Sequence, residues 1–218
     1  IPFGRYVLYP FTILATWFHE MGHGLTAMIL GGNFHKLVLY PNGSGVAMHS
    51  GTVALGRLGS ALVAAGGPVG PAIAGSLLIL ASRDRRRGHL ALMLLGCFMV
   101  VSVVLWVRSL FGIFAIGAMG FAVIAFSSQG AIGLQNFLVQ FLGVQACIST
   151  FGQFDYLMMH SANIGGQMMT SDTGHIAQQL FLPHWFWGIL IMLFCGFLMV
   201  QSLNAVYGPG SRDRSHSP

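Results

Sequence analysis

Three residues near the start of the chain have the types and the spacing for metal chemistry. His19, Glu20 and His23 match the pattern H-E-x-x-H, and Glu20 is the only glutamate in the chain. On a helix, side chains four positions apart share a face, so both imidazoles can bind one metal ion. Zinc lowers the pKa of a bound water toward about 7, and the glutamate can accept its proton. The alternative is a buried hydrogen-bond network of the same three side chains without a metal.

A zinc site of this kind usually has a third protein ligand. Of the four aspartates, Asp84 and Asp213 lie in arginine-rich polar segments, which leaves Asp155 and Asp172. Either of these two could project from a later helix. Asp172 has a second interpretation as a helix N-cap. His175 is either a neighbour that orients Asp172 or an ordinary surface histidine.

The composition predicts that these residues lie in a membrane protein. Of the 218 residues, 55% are hydrophobic and only 7% are charged. Soluble domains carry about 25% charged residues, so this chain has too few to cover a water-facing surface. A soluble enzyme, a disordered regulator and a nucleic-acid-binding protein are therefore excluded, and an integral membrane protein in contact with the lipid bilayer remains.

The apolar segments predict an all-α membrane protein with about six transmembrane helices and a small β-hairpin after the first. At about 20 residues per crossing, the expected spans are 6–30, 58–81, 89–109, 111–128, 131–157 and 183–204. Small residues in the second span, among them Gly66 and Gly67, are expected at helix–helix contacts. One membrane domain would cover residues 1–207, followed by a polar tail at 208–218.

The connections between the spans indicate how the chain is oriented. The basic run 83–87 contains four of the ten Lys and Arg residues and is typical of a cytoplasmic loop. With six spans, both termini would then be cytoplasmic. Residues 34–49 contain two β-favouring runs around Asn42-Gly43, which predicts a hairpin. Residues 158–182 are polar and rich in Gly and Met, and Ser171-Asp172 resembles a helix N-terminus.

The first motif resembles the site-2 protease class of intramembrane zinc metalloproteases. His19-Glu20-Met21-Gly22-His23 lies in a first span and precedes a β-favouring segment, as in the compact bacterial proteins of the peptidase family M50B-like group. That family's second motif is L-D-G-G-H-I, and the segment 171–176, Ser-Asp-Thr-Gly-His-Ile, is similar to it. The resemblance implies that Asp172 is the third zinc ligand.

The resemblance implies hydrolysis of peptide bonds in membrane substrates by zinc-activated water. Zn²⁺ would be held by His19, His23 and Asp172, with Asp155 or His175 as an alternative ligand or a neighbour of the ligands. Glu20 would be the general base. A bacterial inner membrane is the expected location, and the partner would be a membrane-protein substrate or complex rather than nucleic acid. The alternative is a non-catalytic subunit of a larger membrane complex that keeps the fold.

Overall fold

The computed structural model describes residues 2–208, and for residues 2–7 and 132 only the backbone. The predicted tail therefore lies, apart from Gly208, outside the described residues. The elements in chain order are α1 (Pro2–Ile29), β1 (Asn33–Leu39), β2 (Gly45–Ser50), α2 (Arg57–Ala81), α3 (Arg85–Leu105), α4 (Leu110–Gln129), α5 (Ile132–Gly152), α6 (Phe154–Met158), β3 (Ser161–Ile164), β4 (Gln167–Thr170), α7 (Asp172–Gln179) and α8 (His184–Tyr207).

Four helices in the described part of the chain are long and apolar enough to cross a membrane, namely α2, α3, α4 and α8. The prediction of six spans is thus met for four, and the other two are not confirmed. Helix α1 carries three polar side chains of the H-E-x-x-H motif, and α5 carries several amides, which lower the hydropathy of both. The predicted fifth span, 131–157, was also too long, because α5 ends at Gly152 and a separate short helix follows.

Polar side chains define where two of the spanning helices begin. Asp84 precedes α3 and its carboxylate accepts a hydrogen bond from the backbone N–H of Arg86 at 2.9 Å. Ser109 precedes α4 and its Oγ accepts from the N–H of Gly112 at 3.2 Å. Each cap satisfies a backbone donor that has no partner inside its own helix. Helices α3 and α4 pack against each other, and residues 106–109 form the extended junction between them.

The first hairpin is anchored to that junction. Strands β1 and β2 pair antiparallel around the Asn42-Gly43 turn. The backbone of Leu37 in β1 bonds on its other side to the junction, with its N–H donating to Trp106 O (2.8 Å) and its carbonyl accepting from Arg108 N (2.9 Å). One edge of the hairpin is therefore occupied by the α3–α4 junction, while no strand pairs with the outer edge of β2 among residues 2–208.

Helix α2 lies at the centre of the bundle and packs against α1, α5, α7 and α8. Its contact with α1 is very close, since a Cβ at Gly22 would lie 2.1 Å from the carbonyl oxygen of Gly66. On its other side α1 is fixed to α3, because the indole N–H of the fully buried Trp17 donates to Ser102 Oγ at 3.0 Å. Helix α1 is thus held between two neighbours with its polar motif inside the protein.

A second hairpin, which the sequence analysis did not predict, lies between α6 and α7. Strands β3 and β4 pair antiparallel around Gly165 and Gly166, whose φ angles are 60° and 88°. Two positive φ angles at the centre of a two-residue turn are typical of a tight hairpin and favour glycine. This hairpin returns the chain to the bundle so that α7 begins beside α1 and α2.

Candidate metal centre

Helix α1 presents both histidines of the motif to one point. His19 is 6% exposed, and its Nε2 lies 3.2 Å from the Nε2 of His23 one turn later. The Nδ1 of His23 lies 2.8 Å from the carbonyl oxygen of Val63 on α2. An Nδ1–H that donates to this carbonyl leaves Nε2 as a lone-pair donor, which is the form that a metal ion requires.

Asp172, the first residue of α7, brings a carboxylate to the same point. Its Oδ2 lies 3.0 Å from His19 Nε2, and its Oδ1 lies 3.2 Å from His23 Nε2. The side chain is nearly buried, like the two imidazoles. Two histidines and one aspartate from distant parts of the sequence thus converge, with each imidazole Nε2 within 3.2 Å of the other and of one carboxylate oxygen.

The orientation of Asp172 follows from contacts at the start of α7. Ser171 is the N-cap, since its Oγ accepts from the N–H of Gly174 at 3.1 Å. Thr173 donates its hydroxyl hydrogen to the carbonyl of Leu157 at 2.9 Å. The N–H of Asp172 itself donates to the hydroxyl of Tyr156 at 3.3 Å. Because Ser171 fills the capping position, the alternative role of Asp172 as N-cap is wrong, and its carboxylate is free to face the histidines.

Glu20 lies beside this cluster and contacts the first hairpin. It is 7% exposed. A Cβ added to Gly45 at the start of β2 would lie 2.8 Å from the Cγ of Glu20, so the glutamate packs directly against the strand. The carboxylate is therefore confined between the candidate metal ligands and the backbone of β2.

The donor set and its spacing fit a tetrahedral zinc ion. Ligand bonds of about 2.0–2.2 Å place neighbouring tetrahedral ligand atoms roughly 3.3 Å apart, and the distances among the three side chains are 3.0–3.2 Å. Asp172 Oδ2 is buried and makes no hydrogen bond of good geometry, although His19 Nε2 lies 3.0 Å away. Burying a carboxylate between two imidazoles is costly unless a cation or a proton compensates its charge. In the described residues, this is the one group of three or more His, Cys, Asp or Glu side chains close enough to hold a metal.

The remaining candidates from the sequence do not join the cluster. Asp155 is exposed on α6 and is not among the residues with convergent ligand atoms, so it is excluded as the third residue of this group. His175 is exposed, but it lines a cavity that reaches Glu20 and the three ligand side chains. His49 of β2, which the sequence analysis did not single out, lines the same cavity.

Two cavities meet at the cluster. The larger, of about 490 Å³, runs between α1, α5 and the two hairpins and has a mainly apolar lining that includes Leu8, Phe11 and Ile148. The smaller, of about 280 Å³, has the more polar lining and contains His49, His175 and Gln179. Five residues line both cavities: His19, Glu20, Gly45, Tyr156 and Ile164. The side chain of Glu20 therefore borders a mainly apolar cavity and a more polar one.

Two residues that contact the ligands were not predicted to do so. Gly67 was expected only at a helix contact, but a Cβ on it would lie 2.1 Å from His23 Nε2 and 2.7 Å from His19 Nε2. Tyr156 was included in a long apolar span, but its ring lies edge-on to His19 with centroids 6.3 Å apart. The local feature that distinguishes Gly67 from its neighbour Gly66 is that Pro68 follows it.

Comparison with known proteins supports the interpretation drawn from the first motif. A model of the Peptidase M50B-like family matches residues 2–202, which is nearly the whole chain. A search of curated proteins and a search of solved structures gave no match. The chain belongs to the Peptidase M50B-like family, and with four strongly apolar helices it is an integral membrane protein.

Proposed function

We propose that this member of the Peptidase M50B-like family is a zinc metallopeptidase that cleaves membrane proteins within or beside the bilayer. His19, His23 and Asp172 would hold the metal ion, and Glu20 would move the protons of the reaction. The observation that carries the proposal is the convergence of two imidazoles and one carboxylate, with contacts of 3.0–3.2 Å, beside the chain's only glutamate.

A bound zinc ion would polarise the scissile carbonyl and acidify a water molecule. Glu20 is next to the ligand atoms and lines both cavities, so its carboxylate can remove a proton from the attacking water. The same carboxyl group can then give that proton to the leaving amine, which restores its charge for the next cycle. Val63 supports this arrangement by holding the imidazole of His23 in the tautomer that exposes Nε2.

The first hairpin provides a place for an extended substrate. A peptide bond in a helix hides its carbonyl, so a membrane substrate must unwind before it is attacked. The outer edge of β2 has no paired strand in the described chain and runs past Glu20, with Gly45, Val46, Ala47 and His49 lining the smaller cavity. An unwound segment that pairs with this edge would place its backbone beside the catalytic carboxylate.

The orientation and location are part of the same proposal. The basic run 83–87 connects α2 to α3 and would be cytoplasmic in a bacterial inner membrane. The site lies toward the C-terminal end of α1, near both hairpins. An apolar cavity on one side and a polar cavity on the other agree with a substrate that arrives from the lipid and water that arrives from outside it.

The direct test is a cleavage assay in phospholipid vesicles with a synthetic single-span substrate, comparing wild type with Glu20→Gln. We expect the variant to lose about 10²–10⁴-fold in rate, the usual contribution of general acid–base catalysis, while its zinc content stays the same. Asp155→Asn is the matched control, because it also removes one carboxylate but from an exposed position. Equal product from wild type and Glu20→Gln would overturn the proposal in favour of a non-catalytic subunit.

A further inference from the structure

Tyr156 lies where the two cavities meet. It belongs to the short helix α6, lines both cavities, and packs its ring edge-on against His19. Residues in this position can contact a substrate that enters from one side and a water molecule that enters from the other. The remaining residues shared by the two cavities are His19, Glu20, Gly45 and Ile164.

None of the other four shared residues offers a substrate a neutral side-chain hydrogen-bond donor. Glu20 is the proposed base, and Gly45 and Ile164 have no polar side chain. His19 would bind the metal through Nε2, and its other ring nitrogen, Nδ1, is buried. On the opposite wall, α2 presents Gly67 to the imidazoles, again without a donor. Among the side chains that line both cavities, the phenol of Tyr156 is thus the uncharged donor that a substrate can reach.

The hydroxyl of Tyr156 is held in place but its hydrogen can be redirected. Its oxygen accepts a hydrogen bond from the N–H of Asp172 at 3.3 Å, and it also lies near the Asp172 carboxylate. Rotation about the phenolic C–O bond moves the hydrogen without moving the oxygen. The hydrogen can therefore point to Asp172 in the resting protein and to a substrate oxygen when a substrate is bound.

We propose that Tyr156 is a further catalytic residue, whose phenol O–H donates a hydrogen bond to the scissile carbonyl oxygen as that oxygen gains negative charge. The inference rests on the proposed peptidase function. The proton stays on the tyrosine throughout, so no bond to Tyr156 forms or breaks. A fixed donor aimed at a developing charge in a site sheltered from bulk water stabilises the transition state more than the ground state.

The test compares Tyr156→Phe with the matched control Tyr9→Phe, which also removes a hydroxyl that makes a hydrogen bond, from Tyr9 to the carbonyl of Pro41 at 2.6 Å. We expect Tyr156→Phe to lower kcat about 10²–10³-fold, as removal of one such donor does, with little change in KM and in zinc content. Its affinity for a phosphinic peptide, which resembles the transition state, should fall by a similar factor. Tyr9→Phe should behave like wild type in all four measurements.

The possible results separate this inference from the proposed function. If Tyr156→Phe keeps wild-type kcat and wild-type affinity for the phosphinic peptide, the catalytic role is overturned while the peptidase function stands. If Tyr156→Phe instead loses zinc, the residue serves only to hold Asp172, and the role is again overturned. A wild-type protein that neither cleaves the substrate nor binds the phosphinic peptide overturns both proposals.

Discussion

Gly67 of α2 lies so close to His23 of α1 that a methyl group on its Cα would be 2.1 Å from the Nε2 of the imidazole. The same methyl group would be 2.7 Å from the Nε2 of His19. Both distances are far below a van der Waals contact. The backbone of α2 therefore forms one wall of the candidate metal centre, and hydrogen is the only side chain that fits there.

Gly67→Ala is expected to weaken zinc binding by about tenfold or more, because the methyl group must displace one or both imidazoles. Shifts of this kind in groups around metal ligands typically cost 10–100-fold in affinity. Competition with a chelator in detergent solution measures it. Gly117→Ala in α4 is the control, since its Cβ would meet nothing within 4 Å. Both substitutions change the helix propensity in the same way, since alanine favours a helix over glycine. A weaker zinc affinity in the Gly117→Ala variant as well would therefore contradict the steric explanation.

Asp172→Asn and Asp155→Asn should differ sharply in zinc content. The first substitution removes a carboxylate whose oxygens lie 3.0 and 3.2 Å from the two imidazoles. The second removes an exposed carboxylate outside the cluster. We expect zinc to fall well below one ion per chain for Asp172→Asn and to remain unchanged for Asp155→Asn, as measured by elemental analysis. The opposite result would transfer the ligand role to Asp155.

The local part of the site could be predicted from the sequence because it depends only on the helical repeat. His19 and His23 share a face of α1 as their spacing requires. The choice between Asp155 and Asp172 depends on tertiary structure instead. Helix α5 ends at Gly152, and the second hairpin then redirects the chain, so that Asp172 reaches the histidines and Asp155 does not.

The sequence does contain a pattern that indicates the second hairpin. Gly165-Gly166 between two short runs is a strong pattern for a two-residue turn. Gly67 and Tyr156 had no such signal. A glycine in a membrane helix and an aromatic residue at the end of an apolar run are both common, and their roles follow only from which helices pack together. The spans predicted at α1 and α5 are not confirmed as membrane-crossing helices, because polar side chains such as His19, Glu20 and Gln135 lower the hydropathy of both helices.

Gly165→Ala is expected to lower the thermal stability more than Gly166→Ala. Both glycines have positive φ angles, 60° and 88°, so alanine costs about 1 kcal/mol of backbone strain at either position. Only at Gly165 would the new Cβ also collide with the ring of Tyr40, at 2.8 Å, whereas Gly166 faces open space. Melting temperatures in detergent measure the difference.

A double-mutant cycle tests the origin of that difference. Tyr40→Ala removes the ring on which the Gly165 turn rests, so in this background Gly165→Ala and Gly166→Ala should be equally destabilising. A difference that persists without the ring would show that the two hairpins do not contact each other at Tyr40.

His49 should titrate below its ordinary pKa of 6.5 in the metal-free protein. Partial burial disfavours the charged imidazolium, and the neighbouring histidines, His23, His175 and His35, lower the pKa further. Since the unfolded chain binds this proton more tightly, the free energy of unfolding should fall as the pH drops below about 6.5. NMR titration of labelled histidines measures the pKa directly. His175→Gln should raise the pKa of His49 toward 6.5, because it removes one of the neighbouring imidazoles that lower this pKa. A pKa of His49 at or above 6.5 in the wild-type protein would contradict the packing of β2 against the smaller cavity.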